Sequence, residues 1–170
     1  MQKVVAAIIH YKEKVLLTMR EDFEFWCLPG GYVEGDESLE EAVHREVAEE
    51  AGLNLEINQR ILHIVKPNWR GGVTMDIFRT EIHHDIVYTI SPEVKDIGLF
   101  DPKHLPYPIL REHADYIKLA TDTTTASIIN SIQSPEELEL PKDRIQNLIL
   151  FSEMGKSEWY ASLFKEPIYI

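Results

Sequence analysis

Arg45, Glu46, Glu49 and Glu50 fall within six consecutive positions of the chain. On a helix the three glutamates stand at i, i+3 and i+4, so their carboxylates crowd one face. Like charges at about 5 Å, in an effective dielectric near 20, oppose each other by on the order of 3 kcal/mol per pair. A hard divalent cation removes that cost. Magnesium takes oxygen ligands and is commonly held by a few carboxylates together with substrate phosphates. The plain alternative is a solvated acidic face, the usual place for charge.

The surrounding residues specify how such a face is presented. Ser38 is suited to an N-cap and Glu41, three residues on, completes a capping box. Gly52 tolerates the positive φ that ends a helix. These signals predict a helix over Leu39–Ala51. Leu39, Val43 and Val47 form an apolar row beside the acidic one, so the carboxylates border a buried face instead of opposing it. Ahead of the helix, Trp26-Cys27-Leu28-Pro29 runs into a Gly30-Gly31 turn.

From Gly31 the order is glycine, five residues, Glu37, seven residues, then Arg45-Glu46-Val47-Ala48-Glu49-Glu50-Ala51-Gly52-Leu53. This stretch resembles the Nudix box at every position the box specifies. The resemblance is close over Gly31 to Leu53, looser over roughly residues 1–120, and silent on the last fifty. The pattern of 121–170 reads as a helical C-terminal extension packed on the domain or at a dimer interface; the resemblance itself implies an α/β/α sandwich around a mixed β-sheet. It also implies a hydrolase, dependent on magnesium or manganese, that cleaves the diphosphate linkage of a nucleoside diphosphate derivative. Glu46, Glu49 and Glu50 match the family's metal-binding carboxylates, and the Gly30 carbonyl matches its backbone ligand. Glu46, Glu49 and Arg45 are the catalytic candidates, with Arg45 holding a glutamate by a charge-assisted pair. Glu37 either joins the metal network or orients the loop. The general base is a box glutamate or a downstream acid, for which Glu93 and Asp96 are the candidates. The competing class is a Nudix domain that senses a nucleotide without turning it over; three clustered glutamates are more than a pure binder needs.

Substrate choice is marked less strongly. Relatives that cleave ADP-ribose tend to carry a proline about fifteen residues beyond the box, and Pro67 lies fourteen beyond Leu53. Trp69 beside it can stack on a base. Arg20 is a candidate phosphate contact. Each has a structural alternative: Pro67 as a loop breaker, Trp69 as packing, Arg20 as a surface cation.

Composition narrows the partners. The 170 residues suffice for one domain with a core, and 44% of them are apolar. The formal net charge is −12. No basic stripe is available to neutralise a duplex, so the expected partner is a small nucleotide and not DNA or RNA. Metal ions can supply the positive charge that a phosphorylated substrate needs. A single cysteine, Cys27, makes no internal disulfide, and Val4–Ile9 is too short to span a membrane, so a cytoplasmic protein is expected.

Elsewhere the pattern predicts strands over Lys3–Tyr11 and Val15–Met19 as a hairpin, then over Leu53–Val65, Val73–Ile82 and Ile86–Ile90. A short apolar segment covers Ile97–Phe100, and a helix is expected over Leu110–Ala120. Ala126–Gln133, Pro141–Phe151 and Ser157–Phe164 read as helices. Leu148, Leu150, Phe151, Trp159, Tyr160 and Phe164 must bury on the core, over its cleft, or against a second chain.

Overall fold

The computed structural model describes residues 1–57, 59–66, 72–122 and 129–133. Among these, one mixed sheet carries a helix on each face. The strands are β1 (Gln2–Tyr11), β2 (Lys14–Arg20), β3 (Trp26–Cys27), β4 (Gly30–Tyr32), β5 (Gln59–Lys66), β6 (Val73–Ile82), β7 (Val94–Phe100) and β8 (Ile129–Gln133). The helices are α1 (Leu39–Ala51) and α2 (Arg111–Asp122). The sheet order is β3-β2-β1-β6-β5-β8, with β4 added to β1 and β7 to β2.

β1 is the spine. It runs parallel to β6 without a register break, from Gln2 opposite Val73 to Tyr11 opposite Ile82. Its other edge is divided. His10 and Tyr11 pair with β2, whereas Val4 to Ala6 pair with β4. β2 therefore diverges from β1, and the box enters through the gap as β4.

Alternation along β1 builds the two layers. Val5, Ala7 and Ile9 pack with Phe78, Ile82 and the α1 residues Ala42, Val43, Val47 and Ala51. Ala6 and Ile8 point the other way, toward Leu28, Ile77 and the α2 residues Ala114, Ile117 and Ala120. Most of these side chains are fully buried.

Three expectations differ from the structure. The predicted strand over Leu53–Val65 begins only at Gln59. Before it, Ile57 N–H donates to the His44 ring at 3.1 Å, and Thr80 donates its hydroxyl to the Glu56 carbonyl at 2.9 Å. Side chains take the backbone groups that a strand would need. Residues 86–90 form no strand; Thr89 N–H instead closes the end of α1 by donating to the Ala51 carbonyl at 2.9 Å. The predicted helix over Ala126–Gln133 also fails, because Ile129–Gln133 is a strand parallel to β5. β5 offers an open edge there, and isoleucine fits a ladder better than it fits a short isolated helix. The helices expected at Pro141–Phe151 and Ser157–Phe164 lie outside the described residues.

Candidate active site

The α1 boundaries agree with their sequence signals. Ser38 is extended and its hydroxyl accepts from Glu41 N–H at 3.1 Å, while the Glu41 carboxylate accepts from Ser38 N–H at 2.8 Å. At the other end Gly52 takes φ 67° and its N–H donates to the Ala48 carbonyl. Val43 and Val47 are buried and Leu39 packs at the edge of their cluster. The helix is thus clamped on the sheet with its acidic row along the margin.

Arg45 ties that row to the loop ahead of it. Its guanidinium donates to Glu37 at 2.7 and 3.2 Å, to Glu46 at 2.9 Å and to Glu49 at 3.0 Å. A further bond at 2.9 Å reaches the Tyr32 carbonyl. This fork holds Glu37 well below the usual carboxylate range, helped by the Glu34 N–H. It also pushes the Arg45 value up, with Glu37 the largest cause.

Glu46 and Glu50 occupy a different environment. Burial raises Glu46; Arg45 opposes the rise, and the charges of Glu49 and Glu93 add to it. Burial, and after it the Glu46 charge, lifts Glu50 to about 7. Two donors hold Glu50: Gly30 N–H at 3.3 Å and the Thr18 hydroxyl at 3.2 Å. The glycine turn fits this closeness. A Cβ built on Gly31 would stand 2.4 Å from a Glu46 oxygen, and one on Gly30 would stand 2.2 Å from the Val5 carbonyl. Gly30 also has φ 155°, so both positions favour glycine.

The structure therefore brings together Gly30, Glu37, Arg45, Glu46, Glu49 and Glu50. Glu93 lies close enough for its charge to act on Glu46. Arg20 bonds Asp22 at 2.5 and 2.8 Å, and its charge still reaches Glu50. Asp96 sits on β7 opposite Met19 and bonds the Ile97 N–H, without a bond to any box carboxylate. Pro67 and Trp69 lie outside the described residues. Sequence reasoning missed Thr18, whose only signal was a polar residue inside an apolar strand. It also missed His113, whose ring nitrogen Nδ1 accepts from Leu28 N–H at 2.9 Å. A surface cavity of about 450 Å³ lined by Tyr11, Lys12 and residues 81–85 shares no residue with this cluster.

Among the described residues no three His, Cys, Asp or Glu side chains close into a ready-made metal cage. The donor set nonetheless fits a hard divalent cation. It is all oxygen, Glu46 and Glu50 are partly buried beside each other, and their mutual repulsion persists beneath the Arg45 fork. Such ions accept a few carboxylates and complete their shell with water and substrate phosphate.

A family model described as the NUDIX domain matches residues 1–120. This chain belongs to the Nudix hydrolase family. An ADP-ribose pyrophosphatase of Methanocaldococcus jannaschii is 32% identical over 119 residues, covering 67% of this chain and 69% of that protein. A Bacillus subtilis protein with a provisional 8-oxo-dGTP diphosphatase name is 35% identical over 69 residues. That alignment covers 41% of this chain and 46% of the relative, so the chain spans about half the length of some curated relatives it matches. The crystal structure of a NUDIX hydrolase from Nitrosomonas europaea superposes with a TM-score of 0.65 at 24% identity, over 78% of this chain and 79% of that one. That likeness establishes the Nudix fold. None of the described helices is long and apolar enough to cross a membrane.

Proposed function

We propose that this Nudix chain hydrolyses the diphosphate linkage of a nucleoside diphosphate derivative, with ADP-ribose the leading substrate. One observation carries the reading: Glu46 and Glu50 lie partly buried beside each other at the box turn, with Glu49 and Glu93 adding to the same negative field. A folded chain that only needed a solvated acidic face would leave these groups in water. The long alignment with an ADP-ribose pyrophosphatase supports the choice of substrate. The metal is magnesium or manganese, held by Glu46, Glu49 and Glu50 with the Gly30 carbonyl. When bound, the ion neutralises phosphate oxygens and lowers the pKa of a bound water.

The chain's own residues supply the rest. Arg45 keeps Glu46 and Glu49 at fixed positions and keeps Glu37 on the loop. Thr18 and Gly30 N–H orient Glu50. A carboxylate of this group takes the proton of the attacking water, with Glu93 the downstream alternative. Arg20, at the end of β2, meets the phosphates, and Pro67 and Trp69 contribute to recognition of the remaining substrate. The single buried cysteine and the acidic composition suit a cytoplasmic enzyme.

The test is a panel of nucleoside diphosphate derivatives incubated with magnesium, with manganese and with chelator, and the products identified. ADP-ribose turning over to AMP and ribose phosphate only with metal is the expected result. Binding of nucleotide with no turnover of any panel member would assign the chain to the sensing class instead.

A further inference from the structure

The segment Leu28-Pro29-Gly30 has two backbone N–H groups, because Pro29 has none. Each is accepted by a side chain, and the two side chains come from opposite faces of the sheet. Leu28 N–H donates to His113 Nδ1 on α2 at 2.9 Å; Gly30 N–H donates to the Glu50 carboxylate on α1 at 3.3 Å. Between them the Pro29 carbonyl accepts from Ala7 N–H at 2.9 Å. We propose that His113 is a positioning residue: through Leu28 it sets where Gly30 lies, and so aims Glu50 into the acidic cluster.

The surroundings explain why this hold matters. β3 ends at Cys27 and β4 begins at Gly30, so Leu28 and Pro29 belong to no strand ladder. Leu28 is buried, and water cannot replace a lost acceptor there. The start of α2 beside His113 is a firm reference, since Lys66 pairs with Glu112 there. Upstream, Trp26 exchanges bonds with the α2 approach, N–H to Pro108 at 2.8 Å and carbonyl from Leu110 at 3.0 Å. Gly30 sits close against β1, since a Cβ built on it would stand 2.2 Å from the Val5 carbonyl and 2.6 Å from the Ala6 Cα. His113 itself makes no hydrogen bond to any box carboxylate among the described residues, so its influence travels through the backbone.

The activity half of this inference rests on the hydrolase reading; the structural half does not. Three variants separate them. His113→Leu removes the acceptor. His113→Asn restores one, because its Oδ1 is attached to Cγ as Nδ1 is. Ile117→Ala opens a cavity one turn further along α2 and lowers stability while leaving the helix start and the bond intact. His113→Leu is expected to lower kcat about 10-fold with KM nearly unchanged, within the range that small misplacements of reacting groups cost. His113→Asn should recover most of that loss, and Ile117→Ala should keep kcat although its Tm falls. In the metal-free protein the Gly30 amide resonance should move in His113→Leu, return toward its original place in His113→Asn, and stay put in Ile117→Ala. Should His113→Leu not fold, His113→Gln, which sets the acceptor one methylene further out, must shift the Gly30 resonance. An unmoved Gly30 resonance in the variants lacking or displacing the acceptor overturns the proposal. So does an equal loss of kcat in Ile117→Ala. If the wild-type protein turns over no nucleotide, the hydrolase reading fails and the Gly30 resonance alone decides the positioning role.

Discussion

The two faces of the sheet hold their charged groups differently. On the α2 face the buried polar groups are matched: Lys66 pairs with Glu112, and His113 accepts the Leu28 N–H. Burial drives His113 down to about 4, which keeps the ring neutral and able to accept. On the α1 face Glu46 and Glu50 repel each other in partial burial, and burial drives Glu50 up to about 7. The same physical cause, desolvation of the charged form, moves an acid and a base in opposite directions. One face has satisfied its polar groups internally; the other keeps a charge imbalance that a cation can relieve. The proposed chemistry belongs to the second arrangement.

Removing charge from the α1 face should separate the two most sharply. Glu50→Gln keeps shape and helix propensity but makes a poorer ligand for a hard cation. Activity should fall by at least about 10²-fold, the scale of losing one well-placed electrostatic group. Glu49→Gln should behave likewise. Metal affinity should weaken while the metal-free Tm holds or rises. Retained turnover in both variants would mean that the chemistry sits elsewhere.

The pH dependence of metal-free stability sharpens the comparison next. Glu50 has a folded value of about 7 against an ordinary 4.5, so the folded chain keeps a proton that the unfolded chain releases. Its contribution to stability therefore falls as pH rises from 4.5 to 7. His113 has a folded value of about 4 against an ordinary 6.5, so the unfolded chain takes a proton that the folded one refuses. Its contribution is present above 6.5 and is lost as pH falls toward 4. Each swing is worth about 3 kcal/mol at most. The two slopes oppose each other between 4.5 and 6.5 in the wild type. In chelator, denaturation of Glu50→Gln should show stability rising with pH across that range, and His113→Asn should show it falling. Parallel curves for the two variants would contradict the assignment.

Gly31→Ala tests the packing of the acidic margin. Its Cβ would meet the Glu46 carboxylate at 2.4 Å, and the end of that side chain can move aside. The fold should survive, Glu46 should leave its Arg45 contact, and turnover should drop by about 10-fold, a cost in the range of small displacements. Wild-type kcat in this variant would show that Glu46 needs no fixed place. The smallest effect is expected from Thr18→Val, which deletes one hydrogen bond to Glu50 and fills the same volume. A bond of this kind contributes roughly 1 kcal/mol, or about 5-fold. That loss should appear in metal affinity without a change in m-value on denaturation.

Local signals carried the box helix. A capping box, an apolar row and a terminal glycine act within a few residues, so Leu39–Ala51 was legible from both its ends. The partial alternation of β6, with Val73, Met75 and Ile77 on one side, was legible for the same reason, and its bounds agree with Val73–Ile82. Ile129–Gln133 was not legible, since its short apolar run suits helix or strand equally and only the free edge of β5 selects between them. Residues 86–90 have the composition of a strand, yet the open end of α1 claims the Thr89 N–H.

By itself the sequence determined the family, the helix, and the clustering of Glu46, Glu49 and Glu50 on one face. Those features depend on residue type and spacing along one element, which the chain carries within itself. Only the tertiary structure decided which carboxylate is buried and which is exposed, that Arg45 spans Glu37, Glu46 and Glu49 together, and that Thr18 on β2 reaches Glu50 and His113 on α2 reaches the Leu28 N–H. Burial and long-range hydrogen bonds depend on where distant segments meet across the sheet, and no local pattern encodes that meeting.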